Sequence, residues 1–90
     1  MPELTDAEMI ARLIKQTKLL IAMDEEIPIE TKLQTQGMLK EFEALMSVPE
    51  DEQDPDEVRC QYDFLYSELG EYADLTALLS AMRNFSPYID

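Results

Sequence analysis

The first third of the chain carries apolar residues at the spacing of a helix face. Intervals of three, four and seven residues separate them, which is typical of an amphipathic helix with one buried stripe. The stripe comprises Met9, Ile10, Leu13, Ile14, Leu20 and Ile21, with Thr17 among them. Thr5 and Glu8 form a capping box at its start, in which each side chain accepts the other residue's backbone N–H. Pro28 prevents a helix from running through Ile27, so the first helix is predicted over about 5–25.

A second helix is predicted over about 29–47. Pro28 fits its first turn, where the missing N–H of proline costs nothing. Gly37 interrupts the pattern at a cost of about 1 kcal/mol relative to alanine. Either Gly37 permits the close approach of another helix, or the helix breaks there; we expect one continuous helix. The buried face should comprise Leu33, Met38, Leu39, Phe42, Leu45 and Met46.

Residues 48–54 form an acidic linker that precedes the third helix. Asp54 suits the N-cap of that helix and Pro55 its first position. Gly70 divides the stretch that follows, so the chain forms either one kinked helix over 55–84 or two helices that meet near Gly70. One apolar stripe continues through both versions: Val58, Tyr62, Leu65, Leu69, Tyr72, Leu75, Leu79 and Met82.

No run of alternating β-branched residues competes with these helices. The predicted fold is all-α, a small antiparallel bundle of three main helices, or four with a break near Gly70. The 90 residues form a single helical domain, 1–90, which is long enough for one modest core. The tail, 86–90, is expected to be extended.

Charge is the feature of the composition that excludes most functions. Twenty Asp and Glu stand against seven Lys and Arg, with no His, for a net charge of −13. Residues 1–48 have a net charge of −4 and residues 49–90 a net charge of −9. Such a chain repels phosphate backbones and anionic membranes, so we expect neither direct nucleic-acid binding nor membrane binding.

The sequence also predicts a compartment. No apolar run approaches the roughly 20 residues of a membrane span, and the N-terminus lacks the basic and apolar character of a signal peptide. The single Cys60 cannot form an internal disulfide, which fits a reducing compartment. We therefore expect a cytoplasmic protein, in the host cytoplasm if it is viral. Because no histidine can activate it, Cys60 is expected to be a buried or half-buried apolar residue.

The residue types needed for most catalytic and metal sites are missing. The absence of His excludes the serine and cysteine triads, one Cys cannot build a zinc site, and two glycines cannot form a phosphate-binding loop. EF-hand spacing fails from either Asp51 or Asp54. Glu68, Glu71 and Asp74 form pairs three residues apart, for which a solvated acidic face is a simpler interpretation than acid–base catalysis. We expect no enzyme activity, no cofactor and no metal.

The acidic and aromatic segment from residue 50 to 74 is the predicted partner-binding surface. Aromatic side chains beside carboxylates would suit a basic partner. The alternative is that the aromatics complete a second buried face of a helix that is packed on both sides. The predicted contact residues are Glu50, Asp51, Glu52, Asp56, Glu57, Asp63, Phe64, Tyr66, Glu68, Glu71 and Asp74.

These features predict a non-catalytic module that binds a protein with a basic surface and inhibits or sequesters it. The most specific form of this hypothesis is nucleic-acid mimicry, a mode of inhibition found among small acidic helical proteins of phages and mobile elements. An antitoxin or immunity protein that binds a basic toxin would be a special case of the same hypothesis. The alternative is a homo-oligomeric structural or assembly-chaperone protein of a virion or secretion pathway. Apolar residues beyond the core stripes favour that alternative: Leu19, Phe64, Tyr66 and 85–89.

Overall fold

Four α-helices account for most of residues 3–89, the part of the chain that the computed structural model describes. They are α1 (Asp6–Met23), α2 (Ile29–Met46), α3 (Pro55–Leu69) and α4 (Ala73–Met82). Short 3-10 turns occupy Glu50–Glu52 and Arg83–Phe85. α1 packs against α2 and α4, and α2 packs against α3. The predicted all-α bundle is confirmed, in its four-helix version.

The helix caps form as predicted. The Thr5 hydroxyl oxygen accepts the Glu8 N–H at 3.2 Å, and the Glu8 carboxylate accepts the Thr5 N–H at 3.3 Å. At the start of α3, the Asp54 carboxylate accepts the Asp56 N–H at 3.0 Å, and Pro55 is the first helical residue. These bonds satisfy N–H groups that the first turn of a helix leaves without partners.

Pro28 was predicted in the first turn of α2, but it is the N-cap residue that precedes the helix. Its backbone is not helical (φ −59°, ψ 148°), so it precedes α2 instead of belonging to the first turn. Its carbonyl accepts the Lys32 N–H at 2.9 Å and thereby starts the helix. The Asp24 carboxylate accepts the Glu26 N–H at 2.8 Å within the turn between α1 and α2. The chain therefore passes from α1 to α2 through residues 24–28 alone.

The chain breaks between α3 and α4 at residues 70–72, which decides the alternative that the sequence leaves open. Gly70 keeps a right-handed backbone (φ −63°), and the Tyr72 backbone is extended (φ −108°, ψ 103°). The Tyr72 N–H donates to the Leu69 carbonyl at 3.1 Å and closes the turn. A methyl group at Gly70 would lie 3.0 Å from the Tyr66 carbonyl oxygen, so limited space favours glycine here.

The core draws on all four helices and on the C-terminal tail. Tyr62 lies at its centre: the hydroxyl donates to the Leu79 carbonyl, and the ring centroid lies 6.3 Å from that of Phe42. The predicted stripe of the third segment is buried on both sides of the break, with Tyr72 half-buried. The buried apolar residues are Ile10, Leu13, Ile14, Ile21, Ile27, Leu39, Phe42, Met46, Val58, Tyr62, Leu65, Leu69, Leu75, Leu79, Met82 and Ile89.

Three sequence-based expectations in α1 and α2 are wrong. Leu20 is 37% exposed and Leu33 is 68% exposed, although both were expected in the core. Leu20 lies at the edge of the α1 stripe, and the buried positions of α2 begin only at Thr35, whose hydroxyl donates to the Thr31 carbonyl at 2.7 Å. α2 runs through Gly37 as expected, but no other helix approaches it: a methyl group there would meet no atom within 4 Å outside the helix backbone.

The C-terminal tail folds back onto the bundle. Ser86 is extended, but the chain turns at 87–88, and Ile89 is 4% exposed. The Tyr88 hydroxyl donates to the Glu50 carbonyl at 3.1 Å, which ties the tail to the acidic linker. The expectation of a fully extended tail is therefore wrong, because its apolar side chains pack against the core. Position 90 of the predicted tail lies outside the described residues.

Candidate protein-binding surface

The outer side of α3 carries a shallow groove of about 430 Å³. Its lining residues recur at three- and four-residue intervals, so they share the side of α3 opposite to its buried stripe. We call it the α3 groove, and it is lined by Asp56, Arg59, Cys60, Asp63, Phe64 and Ser67. α3 thus buries one face in the core and presents the other to solvent.

Phe64 is the large apolar side chain of the α3 groove. It is 57% exposed, and it also borders a hollow of about 210 Å³ that Met38 and Glu41 of α2 help to form. Aromatic residues are enriched in the buried centres of protein interfaces. The geometry suits a partner that covers Phe64 with apolar surface and places positive charge beside Asp56 and Asp63.

Cys60 lies in the α3 groove and is exposed. The expectation that it is buried or half-buried is wrong. It lies four residues from both Asp56 and Phe64, and this spacing places it on the solvent side of the helix. Its small apolar side chain adds to the apolar part of the groove.

Tyr66 packs inward and does not line the α3 groove. It is half-buried, its ring centroid lies 6.1 Å from that of Tyr62, and its hydroxyl lies 3.5 Å from Ser80 Oγ. The two interpretations of the aromatics outside the main stripe therefore apply to different residues. Tyr66 completes a buried face, whereas Phe64 is accessible to a partner.

Sequence reasoning missed the contribution of Arg83. Its guanidinium lies 5.2 Å from the ring centroid of Tyr66 and 5.9 Å from that of Tyr62, at cation–π distance. Burial raises the pKa of the Tyr62 hydroxyl, and the positive charge of Arg83 opposes this rise. No helical spacing connects Arg83 with either tyrosine, because the contact depends on how the end of α4 packs beside α3.

The other predicted contact residues extend along the whole of α3 and past both of its ends. Because α3 has 15 residues, roughly 22 Å separates its ends. Glu57 lies in the first turn and Glu68 in the last, both outside the lining of the α3 groove. The predicted residues therefore do not form one compact site, and three of them lie together in the groove: Asp56, Asp63 and Phe64.

The exposed turn Glu50–Glu52 lies at the end of the bundle where α1 begins. Glu50 and Asp6 line a hollow of about 260 Å³ there. Gln53 Nε2 donates to the Val48 carbonyl at 3.0 Å, while Gln53 Oε1, which is buried, has no hydrogen-bond partner. This end of the molecule is acidic and rich in hydrogen-bond acceptors.

Glu71 and Asp74 lie at the opposite end, beside the turn between α1 and α2. Asp74 shares a hollow with Asp24. Partial burial raises the pKa of the Tyr72 hydroxyl, and Glu71, Asp24 and Glu26 raise it further because they disfavour another negative charge. This end is a second acidic surface, separate from the one at the start of α1.

Within 3–89, no three acidic or cysteine side chains are grouped so as to hold a metal ion. No helix in that range combines the length and the apolar character that crossing a bilayer requires.

No protein-family model matches the chain, and neither does any curated protein or any solved structure.

Proposed function

We propose that the chain is a non-catalytic protein-binding module that inhibits or sequesters a partner with a basic surface. The observation that carries this proposal is Phe64, which is 57% exposed in a groove that it shares with Asp56 and Asp63. Removing an aromatic ring from water stabilises a complex in proportion to the apolar area that is covered. The neighbouring carboxylates favour Lys and Arg around that contact.

The charge of the C-terminal half supports the choice of a basic partner. Residues 49–90 have a net charge of −9, and most of their acids are exposed. A field of this sign accelerates association with a basic protein, and salt weakens the effect. The proposal therefore assigns much of the affinity to the α3 groove and much of the association rate to the surrounding acids.

Nucleic-acid mimicry is the specific form of the proposal. Carboxylates extend from Glu50 to Asp74, past both ends of a helix that is roughly 22 Å long. A nucleic-acid-binding protein holds phosphates with Lys and Arg, and these side chains also form charge-assisted hydrogen bonds with carboxylates. In this form the target is a nucleic-acid-binding effector, and the chain is a cytoplasmic inhibitor of phage or mobile-element origin.

The homo-oligomeric alternative depends on apolar residues outside the core stripes. The tail no longer supports it, because Phe85 and Tyr88 pack against the core and Ile89 is buried within it. Tyr66 is half-buried and supports it little. Leu19 and Phe64, which are 54 and 57% exposed, still favour self-association.

Affinity capture with matched variants tests the proposal. The tagged chain and an Asp56→Asn/Asp63→Asn/Phe64→Ala variant are incubated with nuclease-treated lysate of the source cell and eluted in steps of rising salt. A Glu3→Gln/Glu30→Gln control removes the same amount of charge from exposed positions elsewhere. We expect mass spectrometry to identify a basic protein that the wild type and the control retain and the triple variant loses.

Equal retention by all three proteins would show that the α3 groove is not the contact surface. Circular dichroism establishes that each variant is folded. A second arm adds duplex DNA or RNA to the wild-type complex. Release of the captured protein supports mimicry, whereas retention at saturating nucleic acid would reject mimicry and leave the binding proposal in place.

A further inference from the structure

A second exposed apolar surface lies on α1 and α2. Leu19 and Met23 lie one turn apart on α1, and Ile29 and Leu33 lie one turn apart on α2. Their side chains are 54, 74, 73 and 68% exposed, respectively. Monomeric proteins seldom expose a contiguous apolar patch of more than a few hundred Å². We call these four residues the α1–α2 patch.

A contact between the two helices brings the patch residues together. The Lys32 ammonium donates to the Ala22 carbonyl at 3.2 Å, so the end of α1 lies beside the beginning of α2. Two patch residues flank Ala22 along α1, and two flank Lys32 along α2. Each of the four residues therefore lies within three positions of this contact, and Met23 also lines the hollow that contains Asp24 and Asp74.

The charges beside the patch suit a second copy of the same chain. Along α1, the exposed bases Arg12 and Lys15 precede the patch, and the exposed acids Glu25 and Glu26 follow it. A two-fold axis perpendicular to α1 near Leu19 places the basic segment of each copy against the acidic turn of the other. The same contact therefore forms twice. The rim of the patch is thus complementary to itself.

The net charge points to the same pairing. Residues 1–48, which contain the patch, have a net charge of −4, whereas residues 49–90 have a net charge of −9. Opposing like charges across an interface is costly. Association through α1 and α2 keeps the carboxylates of the α3 groove apart, whereas association through that groove would bring Asp56 and Asp63 of both copies together.

We propose that the α1–α2 patch is the interface of a symmetric homodimer. Each chain contributes α1 and α2 to the contact and presents its α3 groove outward. This surface is separate from the one that carries the proposed function, so either proposal can fail without the other. A bivalent molecule would also bind a multivalent partner more tightly than one chain does.

Sedimentation equilibrium of the full chain, from micromolar to millimolar concentration, tests the dimer. We expect a monomer–dimer equilibrium whose dissociation constant rises about tenfold or more in Met23→Glu and in Leu33→Glu. Phe64→Glu makes the same change at an exposed residue of α3 and should leave the constant unchanged. All three positions are exposed, so folding should be unaffected, and circular dichroism checks this.

Two outcomes of that experiment would overturn the proposal. One is a wild-type chain that stays monomeric at every concentration, which would leave the patch to a partner of another kind. The other is a dimer that Phe64→Glu dissociates and the patch variants do not.

A charge exchange tests the two-fold arrangement. Arg12→Glu/Lys15→Glu and Glu25→Lys/Glu26→Lys should each weaken self-association, because like charges then face each other across the axis. An equimolar mixture of the two variants should dimerise, because each supplies the charge that the other lacks. A mixture that associates no better than either variant alone would overturn the arrangement.

Discussion

Tyr62 connects three helices at the centre of the bundle. It belongs to α3, its ring lies beside Phe42 of α2, and its hydroxyl donates to the Leu79 carbonyl of α4. The Arg83 N–H donates to the Ala81 and Ser80 carbonyls, and the Leu79 carbonyl accepts the Tyr62 hydroxyl. A buried carbonyl that loses its donor costs about 1–3 kcal/mol.

Replacing Tyr62 with Phe removes the hydroxyl and keeps the ring. We expect Tyr62→Phe to lower the free energy of unfolding by about 1–3 kcal/mol, because the Leu79 carbonyl is left buried without its donor. Urea denaturation followed by circular dichroism measures the change. Tyr88→Phe is the matched control, since it removes an exposed hydroxyl bonded to the Glu50 carbonyl. Equal losses of unfolding free energy in the two variants would show that burial of the hydrogen bond does not determine its contribution to stability.

Ionisation of Tyr62 should make stability depend on alkaline pH. Burial raises its pKa above the ordinary 10.0; Arg83 opposes the rise, and Tyr66 and Asp63 add to it. Because folding favours the neutral phenol, its contribution is fully present below pH 10.0 and is lost as the pH rises through the raised pKa. We expect the free energy of unfolding to fall more steeply above that pH in the wild type than in Tyr62→Phe. If the unfolding free energies of the two proteins fell in parallel with pH, the loss of stability would belong to other titrating groups.

Prediction from sequence succeeded for residues whose partners lie within one helical turn. The caps formed by Thr5 and Asp54 involve only neighbours up to three positions away. Leu33 and Cys60 were placed wrongly because their exposure depends on which sides of α2 and α3 other helices cover. The burial of Thr35 was not predicted, because a polar hydroxyl is seldom expected in a core. Its hydroxyl donates to the Thr31 carbonyl of the same helix, which removes the cost of burying it.

At the scale of a helix, α2 continues through Gly37 although glycine weakens a helix interior. Gly37 is exposed, and a methyl group there would meet no atom within 4 Å outside the helix backbone. We expect Gly37→Ala to raise the free energy of unfolding by about 0.5–1 kcal/mol, because alanine restricts the unfolded chain and favours the helix. Urea denaturation measures the gain.

Gly70→Ala is the contrasting variant for that experiment. Its methyl group would lie 3.0 Å from the Tyr66 carbonyl oxygen, so we expect no gain in stability. A loss of stability in Gly37→Ala, or equal gains in both variants, would disagree with the described environments of the two glycines.

The order of the helices was predictable from the sequence. The break near Gly70 and the burial of the tail were not. The apolar stripe of the third segment continues across Gly70, so periodicity alone does not distinguish one kinked helix from α3 and α4. The tail lacks any helical pattern, and its burial depends on contacts with distant parts of the chain, such as the bond from Tyr88 to Glu50. Long-range packing decided the position of the tail, whereas a local turn at residues 70–72 separates α3 from α4.

At the scale of the whole molecule, the acidic and apolar surfaces lie in different places. The molecule measures 37 × 33 × 19 Å, and its acids occupy both ends as well as the outer side of α3. The acids and aromatics of 50–74 predicted one site. α3 separates Glu50 from Asp74 instead. Phe64 was found because it falls outside the main stripe, whereas the α1–α2 patch became visible only once Leu33 proved to be exposed.

The net charge of −13 should make the stability of the chain sensitive to ionic strength. Folding brings the carboxylates closer together, and salt screens their repulsion beyond a Debye length of about 8–10 Å. We expect the thermal unfolding midpoint of the isolated chain, measured by calorimetry at a dilution where it is monomeric, to rise with NaCl. A Glu50→Gln/Asp51→Asn/Glu52→Gln variant, which removes three negative charges, should unfold at a higher temperature in low salt and respond less to added salt. A midpoint that falls with NaCl would show that ion pairs such as Lys18–Glu43, at 3.3 Å, outweigh the repulsion.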